Sequence, residues 1–175
     1  MATGVKKAKA RLCILGFEKT FYDDYDGKEL ERSDSPTVNK TTARVAQQIA
    51  VSKGWKCRSG DIRTAFLRGN KREQPLYINL PPEIPHEADE VGEVLVDAYG
   101  TDTAPRAWYL RCSQDLLKVP QSITSTTSVT AKLHPLDKCC VLYFNKKELI
   151  GMCLLHVDDV KVYGGHLFTP WWRRS

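Results

Sequence analysis

Apolar residues fall into short runs divided by polar turns. The longest run, LIGMCLLHV at 149–157, precedes Asp158-Asp159 and then VKVY at 160–163, and CCVLYF at 139–144 lies just upstream. Runs of this length, rich in β-branched and aromatic residues and bounded by turn formers, predict three strands, the last two a tight hairpin around the paired aspartates. AKARLCILGF at 8–17, ended by Gly16, predicts another strand; LYINL at 76–80 alternates as a strand does, and EVLVDAYG at 93–100 reads as one more. Val45, Ile49 and Val51 sit among good helix formers, with Thr41 or Thr42 as a cap and Gly54 as a terminator, which predicts a helix over about 41–53. In TAPRAWYLRCSQDLLKV, Pro105 fits a first helical turn, and Trp108, Leu110, Leu116 and Leu117 form a rough helical face. Residues 18–36 and 81–90 read as polar loops, 56–70 as a short segment ended by Gly69-Asn70, and 121–130 as a loop or a poorly packed strand. No internal repeat is present. The order predicts an α+β fold, an antiparallel sheet with helices packed on one face.

Composition narrows the picture only a little. The chain has 175 residues, 42% hydrophobic and 27% charged, which is single-domain size and ordinary globular usage, so disorder and collagen are excluded as whole-chain descriptions. No stretch approaches the roughly 18 apolar residues of a membrane span, so no membrane partner is expected. MATGVKKAKARLCILGFEK lacks the apolar core and cleavage site of a secretory signal. We therefore expect an intracellular protein, cytoplasmic rather than nuclear and not secreted. Its six cysteines form no CxxC pair and read as reduced thiols. The net charge of +5 permits a polyanionic partner without requiring one.

Candidate chemistry changes the picture more. Two adjacent acids in mid-strand would drive one into the core, because successive side chains point to opposite faces; at a hairpin tip both reach solvent or a metal. The plainer reading of Asp158-Asp159 is simply a turn. Asp61 follows Gly60 and opens the apolar segment that contains Phe66; its plainer reading is a strand-end carboxylate. Brought together, three carboxylates form a hard-oxygen site suited to Mg²⁺. Two such ions serve in-line displacement at phosphorus. Asp61, Asp158 and Asp159 supply that set if the fold joins residues 61 and 158.

The ordered blocks KARLCILGF, SPTVNKTTAR, KGW, DIRTAFLRG, LYINLPP, AYGTDTAPRAWY, HPLDKCCVLYF and HVDDV resemble the reverse transcriptase of copia-type retrotransposons, over about residues 7–165. The resemblance implies fingers and a partial palm, and RNA-directed DNA polymerase activity. In that activity a deoxynucleotide from a deoxynucleoside triphosphate is added to a primer 3′-hydroxyl on an RNA or DNA template, with two Mg²⁺ ions, or Mn²⁺ in their place. Asp61, Asp158 and Asp159 match the catalytic and metal-binding aspartates. Phe66 matches the aromatic under the sugar of the incoming nucleotide. Lys9 and Arg11 match basic residues facing its triphosphate; alternatively they are a solvated basic strand. Arg106 matches the PRAW helix start, as a template contact or a helix support, and Trp108 is expected to pack.

The chain also departs from the family pattern. Thr101-Asp102-Thr103 stands where Leu-Lys-Gln is usual, and Thr103 is too short to reach a nucleotide as the glutamine would. Asp102 reverses a charge near the expected triphosphate. His156 replaces the tyrosine of the YVDD box, Gly60 replaces an apolar residue, and Asp34 stands where an aromatic is preferred. We expect residues 1–165 to be a truncated fingers–palm region with no thumb or ribonuclease H domain, and leave 166–175 as an unassigned tail. The alternative is a degenerate, non-catalytic remnant that at most binds nucleic acid. A third reading is a small α+β domain whose Asp-Asp is only a turn.

Overall fold

The computed structural model describes residues 11–15, 34–118, 129–165 and 168. In chain order these form helix α1 (Lys40–Ser52), strand β1 (Lys56–Asp61), a 3₁₀ turn (Ala65–Arg68), β2 (Tyr77–Asn79), β3 (Val91–Glu93), helix α2 (Ala104–Lys118), β4 (Val129–Leu133), β5 (Cys140–Asn145), β6 (Glu148–His156) and β7 (Asp159–Gly164). Five strands make one antiparallel sheet in the order β1-β7-β6-β5-β4, while β2 and β3 pair separately. The apolar run at 149–157 thus becomes the central strand. Its flanking strands follow by hairpins, and β1 arrives from the other side.

Central position explains why β6 is apolar throughout rather than alternating: Ile150 to Leu155 are all buried. Met152 and Leu154 join Cys140, Tyr163 and the α1 residues Ala46 and Ala50 in one cluster. Cys153 and Leu155 join Val141, Val160, Val162 and the α2 residues Trp108, Cys112 and Leu116 in another. The sheet is therefore covered on both faces. This corrects the expectation of helices on one face only: an interior strand with two apolar faces needs a cover on each.

α1 matches its predicted span. Its cap is Asn39 rather than a threonine: the side chain accepts from Thr41 N–H at 2.8 Å, and its own N–H donates to Asp137 Oδ2 at 2.9 Å. Gly54 adopts the left-handed conformation that ends the helix, with φ of 61°. Other expectations shift. Of the strand foreseen at 93–100, only Glu93 lies in a strand, Val91–Glu93, and Val96 makes one bridge to Lys71; Asp97 is buried in a side-chain network instead of a ladder. Residues 11–15 are not a strand and touch the body through Ile14 N–H to the Tyr99 carbonyl, 2.7 Å. The hairpin turn is Val157-Asp158, and Asp159 already belongs to β7. The tail TPWWRRS, Lys9 and most of the loop at 18–36 lie outside the described residues.

Phe168 returns to the sheet. Its ring lies 4.7 Å from Tyr143, over the cross-strand pair Gly151 and Gly164. A Cβ on either glycine would meet the Phe168 ring at 2.7 or 2.4 Å, so the two glycines form the slot that admits it. No helix among the described residues is long and apolar enough to cross a membrane.

All six cysteines are free, and four are buried. Burial pushes the thiols of Cys112 and Cys140 up to about 12 and that of Cys139 up to about 11, with Cys153 also well raised. In the unfolded chain these thiols ionise near 9.0. Between pH 9 and 11–12 the unfolded state then binds fewer protons than the native state, so stability falls as pH rises. Below pH 9 the contribution is intact. Each such thiol contributes a loss of up to about 1.4 kcal/mol per pH unit within that window. Denaturant midpoints measured from pH 7.5 to 10.5 should decline above pH 9, and the decline should flatten in Cys112→Ala, but not in a Cys13→Ser control.

Candidate active site

Asp61 is the last residue of β1, an edge strand with an almost wholly exposed sequence, KCRSGD. It pairs directly with Asp159, the first residue of β7, and Asp159 pairs in turn with His156, the last residue of β6. Directly opposed residues of antiparallel strands carry their side chains on the same face. His156, Asp159 and Asp61 therefore form one transverse row on the α1 side of the sheet, beyond the helix's cover, and all three are exposed. Asp158 is exposed in the turn beside them. The fold does bring residues 61 and 158 together: Ile62 N–H donates to the Asp158 carbonyl at 3.0 Å.

Opposing two carboxylates across a ladder destabilises a sheet. A cation between them would remove that cost, and carboxylate oxygens are the hard donors that Mg²⁺ or Mn²⁺ takes. The donor set thus fits such an ion chemically. Among the described residues, however, no group of three or more His, Cys, Asp or Glu side chains is gathered tightly enough to hold a metal ion.

The turn carries strain. Val157 has φ of 58°, a left-handed conformation that a β-branched residue rarely adopts, at a cost of order 1–3 kcal/mol. Helix α2 holds it there, since buried Trp108 donates from Nε1 to the Val157 carbonyl at 2.8 Å. The sequence assigned Trp108 to packing alone; its hydrogen bond 49 residues along the chain had no local signal.

Phe66, in the 3₁₀ turn, lies 5.3 Å from the Tyr99 ring, and the Arg11 guanidinium sits 4.5 Å over the other partner's ring centroid, that of Tyr99. Two expected site residues are thus joined through Tyr99, which the sequence reading passed over. Arg106 pairs with Asp34 Oδ2 at 2.7 Å, tying the start of α2 to the segment before α1. That contact favours helix support for Arg106. It also gives the departure at Asp34 a reason, since an aromatic there could not make the pair. Thr103 is buried, donating to Asp97 Oδ1 at 2.9 Å and accepting from Arg72 at 3.2 Å, while Arg72 and Asp97 form a buried ion pair. Asp102 points to solvent.

Gly60 opens onto the other face. A Cβ there would meet nothing within 4 Å, and a cavity of about 480 Å³ lies beside it, floored by Val160, Trp108, Cys112 and Leu116.

An α+β domain that presents aspartates at the end of an antiparallel sheet, on a hairpin and the strand beside it, is the class these observations define. The chain belongs to the reverse transcriptase (RNA-dependent DNA polymerase) family, which matches residues 2–166. It is 27% and 28% identical to the retrovirus-related Pol polyproteins from transposons RE2 and RE1 of Arabidopsis thaliana, over 91% of its length. It is 30% identical to that from transposon TNT 1-94 of Nicotiana tabacum, over 89%. The chain spans about a tenth of the length of these relatives. No solved structure gives a significant match.

Two outcomes test this account of the site. Trp108→Phe keeps most of the packing but strands the Val157 carbonyl. It should cost about 1–3 kcal/mol in denaturant unfolding and speed amide exchange at residues 156–159. Gly60→Ala has room and no left-handed φ, so it should raise stability by about 0.4–1 kcal/mol.

Proposed function

We propose that residues 1–165 are the fingers and the larger part of the palm of a copia-type reverse transcriptase, and that Asp61, Asp158 and Asp159 are its catalytic carboxylates. The observation that carries this reading is the register of β1 on β7, which sets Asp61 opposite Asp159 with Asp158 in the adjoining turn. In the reaction the primer 3′-oxygen forms a bond to the α-phosphorus of a deoxynucleoside triphosphate. The bond from that phosphorus to the bridging oxygen breaks, pyrophosphate leaves, and the hydroxyl proton passes to water. The three aspartates, not gathered into such a group in this structure, would have to draw together to hold Mg²⁺ or Mn²⁺, which when bound supplies positive charge at the reacting phosphate. Phe66 and Tyr99 would offer an apolar surface to the sugar and base, and Arg11 and Lys9 positive charge to the triphosphate. Template, primer and triphosphate are the partners this reading requires.

A second reading, a non-catalytic remnant that at most binds nucleic acid, draws support from Thr103. Its hydroxyl is engaged with Asp97 and Arg72, so it does not replace the family's glutamine. Primer extension on a homopolymer template with Mg²⁺ or Mn²⁺ separates the two. We expect incorporation by the wild type, and a loss of roughly a hundredfold or more in Asp158→Asn and Asp61→Asn. Equal incorporation by Asp158→Asn would sink the catalytic reading.

A further inference from the structure

The carboxylate row does not stand alone on its face. Two residues further along β7, Lys161 is exposed and lies directly opposite Ser59 of β1, also exposed, and Leu154 of β6, which is buried. By strand periodicity Lys161 and Ser59 share the face of Asp159 and Asp61, about 6.8 Å along the strands. The cross-strand pair sets their Cβ atoms about 4.5–5.5 Å apart. An ammonium donor and a hydroxyl donor side by side, with no acid opposite either, suit one anionic oxygen group. Among the described residues Lys161 has no ion-pair partner. The chain places this lysine between the core residues Val160 and Val162, in a strand that is otherwise largely apolar, YVKV in reverse, so local packing does not call for it.

We propose that Lys161 and Ser59 form a phosphate-binding pair that positions the primer strand against the carboxylate row. The pair rests on the polymerase reading for its partner, and it names which phosphate contact that site supplies. The spacing of about 6.8 Å along the strands keeps the pair next to the carboxylate row. The phosphodiester held is therefore one close to the reacting 3′ end. Phosphate contacts of this kind set register and orientation and carry no sequence information. Lys161 is a positioning residue here and takes no part in bond making.

The test is fluorescence anisotropy of a labelled DNA primer on an RNA template, titrated with the 175-residue chain from 50 to 200 mM KCl without nucleotide. Lys161→Gln should weaken binding several-fold at 50 mM and make the slope of log affinity against log salt shallower by about 0.9. Ser59→Ala should weaken binding less and leave the slope alone, and Lys161→Arg should restore it. Lys147→Gln, in the β5–β6 turn at the opposite end of β6, should change neither. A lysine that only offsets the neighbouring carboxylates would leave the slope unchanged. Wild-type affinity and slope in Lys161→Gln would overturn the proposal while the polymerase reading stood, as would an equal effect from Lys147→Gln. If the wild type does not bind the duplex at all, both fall together.

Discussion

The hydrogen bond from the Trp108 indole to the Val157 carbonyl is the constraint on which the rest of the site depends. A two-residue turn with a valine in left-handed conformation does not hold its shape by local preference. It holds because a buried donor from α2 meets it on one side and the backbone of Ile62 meets it on the other. Remove both, and the register that opposes Asp61 to Asp159 has nothing but ladder bonds of an exposed edge strand to keep it. Strain, like-charge opposition and an exposed edge all sit within a few residues of each other. Each costs stability, and all three are concentrated at one end of the sheet.

The two helices have different tasks. α1 buries alanines against Met152, Leu154 and Tyr163, closing one face of the sheet but leaving its carboxylate end open. α2 closes the other face and reaches the turn. Side-chain ties fix both helices to distant segments, Asn39 to Asp137 and Arg106 to Asp34. Family membership adds a reason for the shared pattern, and two of the departures have local explanations. Asp34 answers Arg106, and Thr103 answers Asp97 and Arg72 in a buried network that is costly to break on one side only. Gly60 borders a cavity beside Asp61. The changes at Asp34 and Thr103 are compensated in charge and hydrogen bonding.

Much was legible in the chain. The hairpin strands at 139–163 and the helix over 41–53 announce themselves by length and periodicity, because burial on one or both faces leaves a local pattern. Residue type and motif order point to Asp61, Asp158 and Asp159 as candidates. β1 was not legible, since KCRSGD lies on an edge and buries almost nothing, so no hydrophobic alternation marks it. The strand read at 93–100 failed for the opposite reason. Its apolar residues were there, but Asp97 found a better partner in Arg72 than a ladder offered. Tyr99, which links Arg11 to Phe66, carried no signal at all, because ring contacts across 33 and 88 residues have no spacing to read.

By itself the sequence determined the family, the α+β class and the central apolar hairpin, and it put forward the three acids as candidates. Those follow from residue types and short periods, which depend only on neighbours along the chain. Only the tertiary structure decided that the sheet is covered on both faces, that the turn is Val157-Asp158, and that Asp61 faces Asp159 with Lys161 and Ser59 beside them. Those depend on register between strands about a hundred residues apart. A slip of one residue there would leave every local pattern intact and turn each side chain to the opposite face.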